Sequence, residues 1–220
     1  MAERLTKDLW RLDIPLVGNP LKNLNSYLLL GERSLLIDTG FRQQPCREAM
    51  ERQLAETGGD RDRMDIFCTH LHSDHPGLAP ELIRAAFILW SGINAVKDTL
   101  DPLLGTPPTH EFVQRIRDLV MAHGTILGAD AAYWESLNRT YIRDGFSREE
   151  MDRLWGTNPA KNAAPLWREG LYTLLPDGAE LRYGGHTLRC VLTRGHTPGH
   201  LCLYDPDCRR LFSGDHILFH

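Results

Sequence analysis

The chain has 220 residues, 42% of them hydrophobic and 25% charged, with a formal net charge of −4. That is the composition of an ordinary globular protein with enough apolar material for a sizeable core, and the mildly acidic balance gives no long-range pull toward nucleic acid or an anionic membrane surface. Charges at Glu3, Arg4, Lys7 and Asp8 break the run a signal peptide needs, and no segment reaches the roughly 18 apolar residues of a membrane span, so a cytoplasmic location is expected.

In chain order, the first ninety residues alternate strands with helices. "NSYLLLG" (25–31) and "SLLIDTG" (34–40) read as a hairpin turning at Glu32-Arg33. "PCREAMERQLAETGG" reads as a helix with Ala49 and Leu54 on its apolar face and Gly58-Gly59 as its stop. "MDIFCTH" (64–70) reads as a short buried strand, "GLAPELIRA" as a helix and "AFILWS" (86–91) as a further strand, which makes a βαβα pattern.

From about Asn94 to Arg168 apolar residues recur at helical spacing, as at Phe112, Val113, Ile116, Leu119 and Val120, which predicts a helical insertion over 94–168 with Trp134, Tyr141 and Trp155 in its packing. Short strands return after Gly170: "LYTLL", "ELRYG", "HTLRCVLT", "HLCLYD" and "RRLFSGD" are separated by turn signals such as Pro176-Asp177-Gly178 and Asp205-Pro206-Asp207. The five cysteines (46, 68, 190, 202 and 208) are scattered, without a CxxC pair or a disulfide framework. Cys68, Cys190 and Cys202 lie in apolar strand-like runs and read as reduced core residues rather than ligands.

The stretch "THLHSDHPG" concentrates chemistry. His70, His72, Asp74 and His75 follow directly on an apolar strand, so they stand at a rigid strand end. Alternate residues there point the same way, which lets His70 and His72 converge on one ion while Asp74 and His75 face a neighbouring one. His196 in "TRGHTPGH" and Asp215 in "LFSGD" occupy the same kind of place at the ends of later strands. His200 lies on the strand side of its turn and reads as a structural or supporting residue.

Together, "HLHSDH", "GHTPGH", "SGD" and the earlier "DTG" resemble the metallo-β-lactamase superfamily of metal-dependent hydrolases, over about residues 5–91 and 170–220. The resemblance implies an α/β fold of four layers, an αββα sandwich, formed by residues 1–220 as a single domain with the 94–168 insertion inside it. It also implies a binuclear site in which His70, His72 and His196 hold one metal, Asp74 and His75 hold a second, and Asp215 bridges them. Asp38 of "DTG" would sit beneath the site and support its ligands.

The sequence departs from the family pattern in one respect: the usual further histidine, well downstream of the bridging aspartate, has no counterpart, since only His216 and His220 follow Asp215. The expectation drawn from this is that further strands and helices belong to a longer natural protein. Mixed His/carboxylate donors suit two zinc ions, with iron or manganese as alternatives.

The implied activity is hydrolysis of a thioester, lactone or related ester by a metal-bridging hydroxide, with Asp74 as the catalytic group and a small molecule as substrate. Neither nucleic acid nor membrane is expected as a partner, and a homo-oligomer is compatible with the sequence. No substrate-binding residue is identified. A mononuclear iron persulfide dioxygenase, resembling the chain at His70, His196 and Asp215, and a non-catalytic binding protein with a relic site stand as alternatives.

Overall fold

A computed structural model describes residues 1–19, 21–70, 72–82, 88–90, 139, 141–157, 172–197 and 199–218. The larger sheet contains β1 (Glu3–Arg4), β2 (Leu9–Pro15), β3 (Asn23–Leu29), β4 (Ser34–Ile37), β5 (Met64–Phe67), β6 (Ile88–Trp90) and β7 (Tyr172–Leu174), in that spatial order. Its first four strands form an antiparallel meander, and β4 through β7 run parallel. The second sheet is an antiparallel meander of β8 (Glu180–Tyr183), β9 (His186–Leu192), β10 (Leu201–Asp205) and β11 (Arg210–Phe212).

Parallel neighbours cannot be joined by a tight turn, so each parallel step needs a crossover. Between β4 and β5 it is the helix α1 (Gln44–Thr57), which begins with a proline in its first turn and ends on Gly58 at φ 78°, with a cap N–H donating to the Leu54 carbonyl. The short α2 (Ala79–Leu82) lies between β5 and β6. The chain from β6 to β7 is a third crossover, and it contains the expected insertion. Most of 94–168 lies outside the described residues.

Within the insertion α3 (Arg148–Thr157) is helical. It opens on a capping box in which the Ser147 hydroxyl accepts from Glu150 N at 3.2 Å while the Glu150 carboxylate accepts from Ser147 N at 2.8 Å. Tyr141 is half-buried with its ring centroid 5.6 Å from that of Phe146. Trp134 and the Trp155 side chain are outside the described residues.

Period-two alternation sorts the core into two layers. Leu12, Ile14, Leu28, Leu36 and Ile66 face α1 and α2, joining Met50, Leu54 and Leu82. Leu9, Leu29, Leu35, Ile37 and Phe67 point the other way and meet Leu188, Cys190, Leu201, Leu203 and Phe212 of the second sheet. This stacks helices, sheet and sheet, three of the four layers of an αββα sandwich. Tyr27 and Phe212 meet edge to face across the sheets with centroids 5.2 Å apart, a geometry that contributes about 0.5–1.5 kcal/mol beyond area burial.

A polar tie joins the sheets as well. Arg33, in the β3–β4 turn, donates twice to the Asp65 carboxylate at 2.6 Å, and the Tyr183 hydroxyl of β8 donates to it at 2.7 Å. Asp65 is buried, so its charge depends on these donors. Replacing Arg33 with Met leaves Asp65 with fewer donors and is expected to lower the unfolding free energy by about 1–3 kcal/mol, read as a lower midpoint in urea titration.

Candidate metal centre

The parallel strands β4 and β5 end side by side, and the two loops that leave them form the floor of the site. Asp38 follows β4 at φ 57°, a left-handed conformation that aspartate tolerates better than most side chains. Its carboxylate is buried and accepts from Thr69 N at 2.9 Å and from the Thr69 hydroxyl at 2.8 Å, while Oδ2 lies 2.8 Å from His75 Nδ1. The Thr69 hydroxyl also lies 3.1 Å from His70 Nδ1. Next to it Thr39 fixes the backbone of the loop, since its N and Oγ1 donate to the His75 carbonyl at 2.7 and 2.6 Å.

These contacts use the inner ring nitrogen of His70 and of His75 and leave the outer one free. His70 Nε2 and His75 Nε2 are buried and make no hydrogen bond, a costly condition unless another group meets them. What faces them comes from the second sheet. His196, after β9, places Nε2 2.8 Å from His72 Nδ1, and its ring centroid is 4.8 Å from that of His70. Asp215, in a single helical turn after β11, sends Oδ1 to within 3.3 Å of His75 Nε2 and Oδ2 to within 3.4 Å of His196 Nε2.

Two donor sets result, one of His70, His72 and His196 and one of His70, His75 and Asp215, each with ligand atoms within 4.8 Å of one another. Nitrogen and carboxylate donors so grouped fit a divalent transition ion. Asp74 Oδ2 lies 3.9 Å from His75 Nε2, at the edge of the second set. His70, His72, His75, His196 and Asp215 thus gather at one pole of the sandwich, while Asp74, expected as a ligand, lies beside the second set and outside it.

Electrostatics follow from the burial. Desolvation, then the neighbouring imidazoles, hold His70 well below the usual histidine range, and desolvation with His196 lowers His72. Burial also disfavours charge on His75, but the Asp38 carboxylate, with Asp215 and Asp74 behind it, outweighs burial and raises its pKa. Asp215 is lowered because His75, His196 and His72 overcome its own desolvation.

His200 does not join either donor set. It is fully buried, its Nδ1 lies 2.8 Å from the Thr193 hydroxyl, and burial lowers its pKa to about 4. It packs 5.1 Å from the His70 ring, so it supports the site from behind. Thr69 and Gly214 are the residues that sequence reasoning missed. Thr69 also joins the sheets, since its carbonyl accepts from Leu201 N at 2.9 Å. Beside these groups opens a cavity of about 600 Å³ whose lining includes Asp74, His75, Asp215, Leu24, Tyr27 and Ile217.

Residues 20–220 match the family model described as the metallo-beta-lactamase superfamily. The whole chain aligns at 25% identity with the lactamase-like protein adaB of Aspergillus niger and spans about half of it, 47% of that protein's length. Over 46 residues, 21% of this chain, it is 39% identical to the hydroxyacylglutathione hydrolase of Rhizobium etli, of which that stretch is 18%. Among solved structures, a metallo-beta-lactamase family protein of Thermus thermophilus is similar with a TM-score of 0.68 and 25% identity, over 98% of this chain and 61% of that one.

Gly214 carries a prediction of its own. A Cβ there would lie 2.7 Å from both His200 Nε2 and Thr69 Oγ1, at a backbone φ of 48°. Gly214→Ala is expected to push Asp215 off His75 and to destabilise the fold by about 1–3 kcal/mol, measured as a lowered thermal midpoint; an unchanged midpoint would contradict the packing described.

Proposed function

This chain belongs to the metallo-β-lactamase superfamily, and from that premise we propose that it is a metal-dependent hydrolase of a thioester, lactone or related ester. The observation that carries the reading is Asp215, whose two oxygens face His196 on one side and His75 on the other. A carboxylate so placed fits the bridging position between two cations. In this reading His70, His72 and His196 hold one ion, Asp74 and His75 hold the other, Asp215 serves both, and zinc suits the donors, with iron or manganese accepted by the same set.

Bound divalent ions supply Lewis acidity and bring the pKa of water from 15.7 toward about 7. The chain's own residues do the rest. Asp38 and Thr69 hold the rings of His75 and His70 with their outer nitrogens aimed at the site. Asp74, which lines the cavity, orients the attacking water and passes its proton to the departing sulfur or oxygen. Leu24, Tyr27 and Ile217 give an acyl chain an apolar wall.

The Rhizobium relative's name supplies a first substrate to try, a hydroxyacylglutathione thioester. The residues between β6 and β7, most of them outside the described residues, are proposed to set substrate range. Location in the cytoplasm and a small-molecule substrate belong to the same proposal; among the described residues no helix is long and apolar enough to cross a membrane.

The test is hydrolysis of thioester and lactone panels by the chain. Chelation should abolish turnover and zinc should restore it. Asp74→Asn should keep the fold and lower kcat by about 10²–10⁴. Turnover indifferent to chelator, near-normal kcat in Asp74→Asn, or oxygen uptake on glutathione persulfide in place of ester hydrolysis would each overturn the assignment.

A further inference from the structure

At the opposite end of β9 from His196 a second group of donors meets. His186 opens β9, Asp205 closes β10, and Cys208 lies in the turn between β10 and β11. One ligand atom from each falls within 4.8 Å of the others. We propose that His186 Nδ1, Asp205 Oδ2 and Cys208 Sγ form a further metal site, for a zinc-like transition ion with its fourth position open to solvent.

Four features argue for a built site. First, the ring of His186 is oriented: Nε2 lies 3.1 Å from the Asp8 carboxylate, which can accept a hydrogen bond from Nε2–H and leaves Nδ1 facing the other two residues. Second, Asp205 is 1% exposed and its Oδ1 is held by the Cys208 N–H at 3.2 Å, which aims Oδ2 inward.

Third, Asp205 Oδ2 is buried without a hydrogen bond although His186 Nδ1 stands only 2.9 Å away. The two atoms stand close enough to hold one proton or one cation between them.

Fourth, Cys208 Sγ is 3.9 Å from Nδ1, while bonds of about 2.3 Å to sulfur and about 2.0 Å to nitrogen place tetrahedral ligands roughly 3.5 Å apart. The nitrogen–oxygen pair has to open by only a few tenths of an ångström.

The scaffold under these residues is stiff. The β8–β9 turn, Gly184-Gly185, packs so tightly on the β3–β4 turn that a Cβ on Gly31 would lie 2.7 Å from Gly184 N. Asp8 is fixed in turn by Leu30, whose N–H donates to the Asp8 carbonyl at 2.8 Å. His186 and Asp8 also line a cavity of about 940 Å³. An ion here would join the β8–β9 and β10–β11 hairpins of the second sheet at the pole remote from His70, with Asp8 of the larger sheet linked to it through His186. Histidine, carboxylate and thiolate together favour zinc over calcium or magnesium.

Sulfur makes the test selective, because the two donor sets around His70 contain none. Metal-stripped full chain is titrated with cobalt(II) chloride. The expected result is a thiolate-to-cobalt charge-transfer band that saturates at the intensity of a single thiolate, is lost in Cys208→Ser and is at least tenfold weaker in apparent affinity in His186→Asn. Cys208 is exposed, so its replacement leaves the fold in place. In parallel, zinc should slow iodoacetamide labelling of Cys208 in the native chain. No sulfur band, a band that persists in Cys208→Ser, or labelling indifferent to zinc would overturn the proposal and show His186 as a hydrogen-bonded link alone, whatever the outcome of the hydrolysis assays.

Discussion

The buried carboxylate of Asp38 is the constraint on which the metal-facing pole depends. It stands at the end of β4, in a left-handed turn, and binds both polar atoms of Thr69 at the end of β5 as well as His75. A carboxylate is acceptor-only, so each of these contacts assigns a proton to its partner. The Thr69 hydroxyl gives its proton to the bond with Asp38 and presents lone pairs to His70. His75 must carry its proton on Nδ1. The hydrogen-bond ladder thereby fixes which ring nitrogens remain free, and in both histidines it is the one that faces the second sheet.

What arrives from the second sheet is positioned by packing. His196 and Asp215 sit beyond the ends of β9 and β11, and those strands are located by Leu188, Cys190, Leu203 and Phe212 against Ile37 and Phe67. The link from Leu201 N to the Thr69 carbonyl then stitches the sheets together at the site itself. Thr69 therefore couples the register of the sandwich to the orientation of two imidazoles. Close approach of Gly214 to Thr69 and His200 allows Asp215 to reach His75, which is why a side chain cannot stand there.

Much of this is legible in the sequence because it is local. The strand "MDIFC" with its histidines, the β3–β4 hairpin and the Gly58 stop of α1 each rest on neighbouring residues, and all appear where expected. β2 is not among the expected elements although its signal is present: Leu12, Ile14 and Leu16 alternate with polar or exposed positions, in a segment whose charges dominate its composition. Thr69, Ser26 and Gly214 could not be read in advance. A threonine beside a histidine has no distinctive pattern, and the buried hydroxyl of Ser26, which donates to the Asp38 carbonyl at 2.7 Å, reveals its role only when two strands lie side by side.

The two poles show how far spacing can carry such a reading. At the first, four candidate ligands fall within six residues, so a strand end alone nearly defines the site. At the second, His186, Asp205 and Cys208 come from two hairpins, and the residue that orients the histidine, Asp8, lies 178 positions earlier. No local pattern marks them, and the exposure of Cys208 reads as that of an ordinary surface thiol. A physical sign common to both groups is a buried polar atom, His70 Nε2 or Asp205 Oδ2, held in place by the side chain's other polar atom and without a hydrogen bond of its own, a condition that His200 Nε2 shares. A cation or a proton from a neighbour can complete such an atom, and the sign belongs to the folded chain alone.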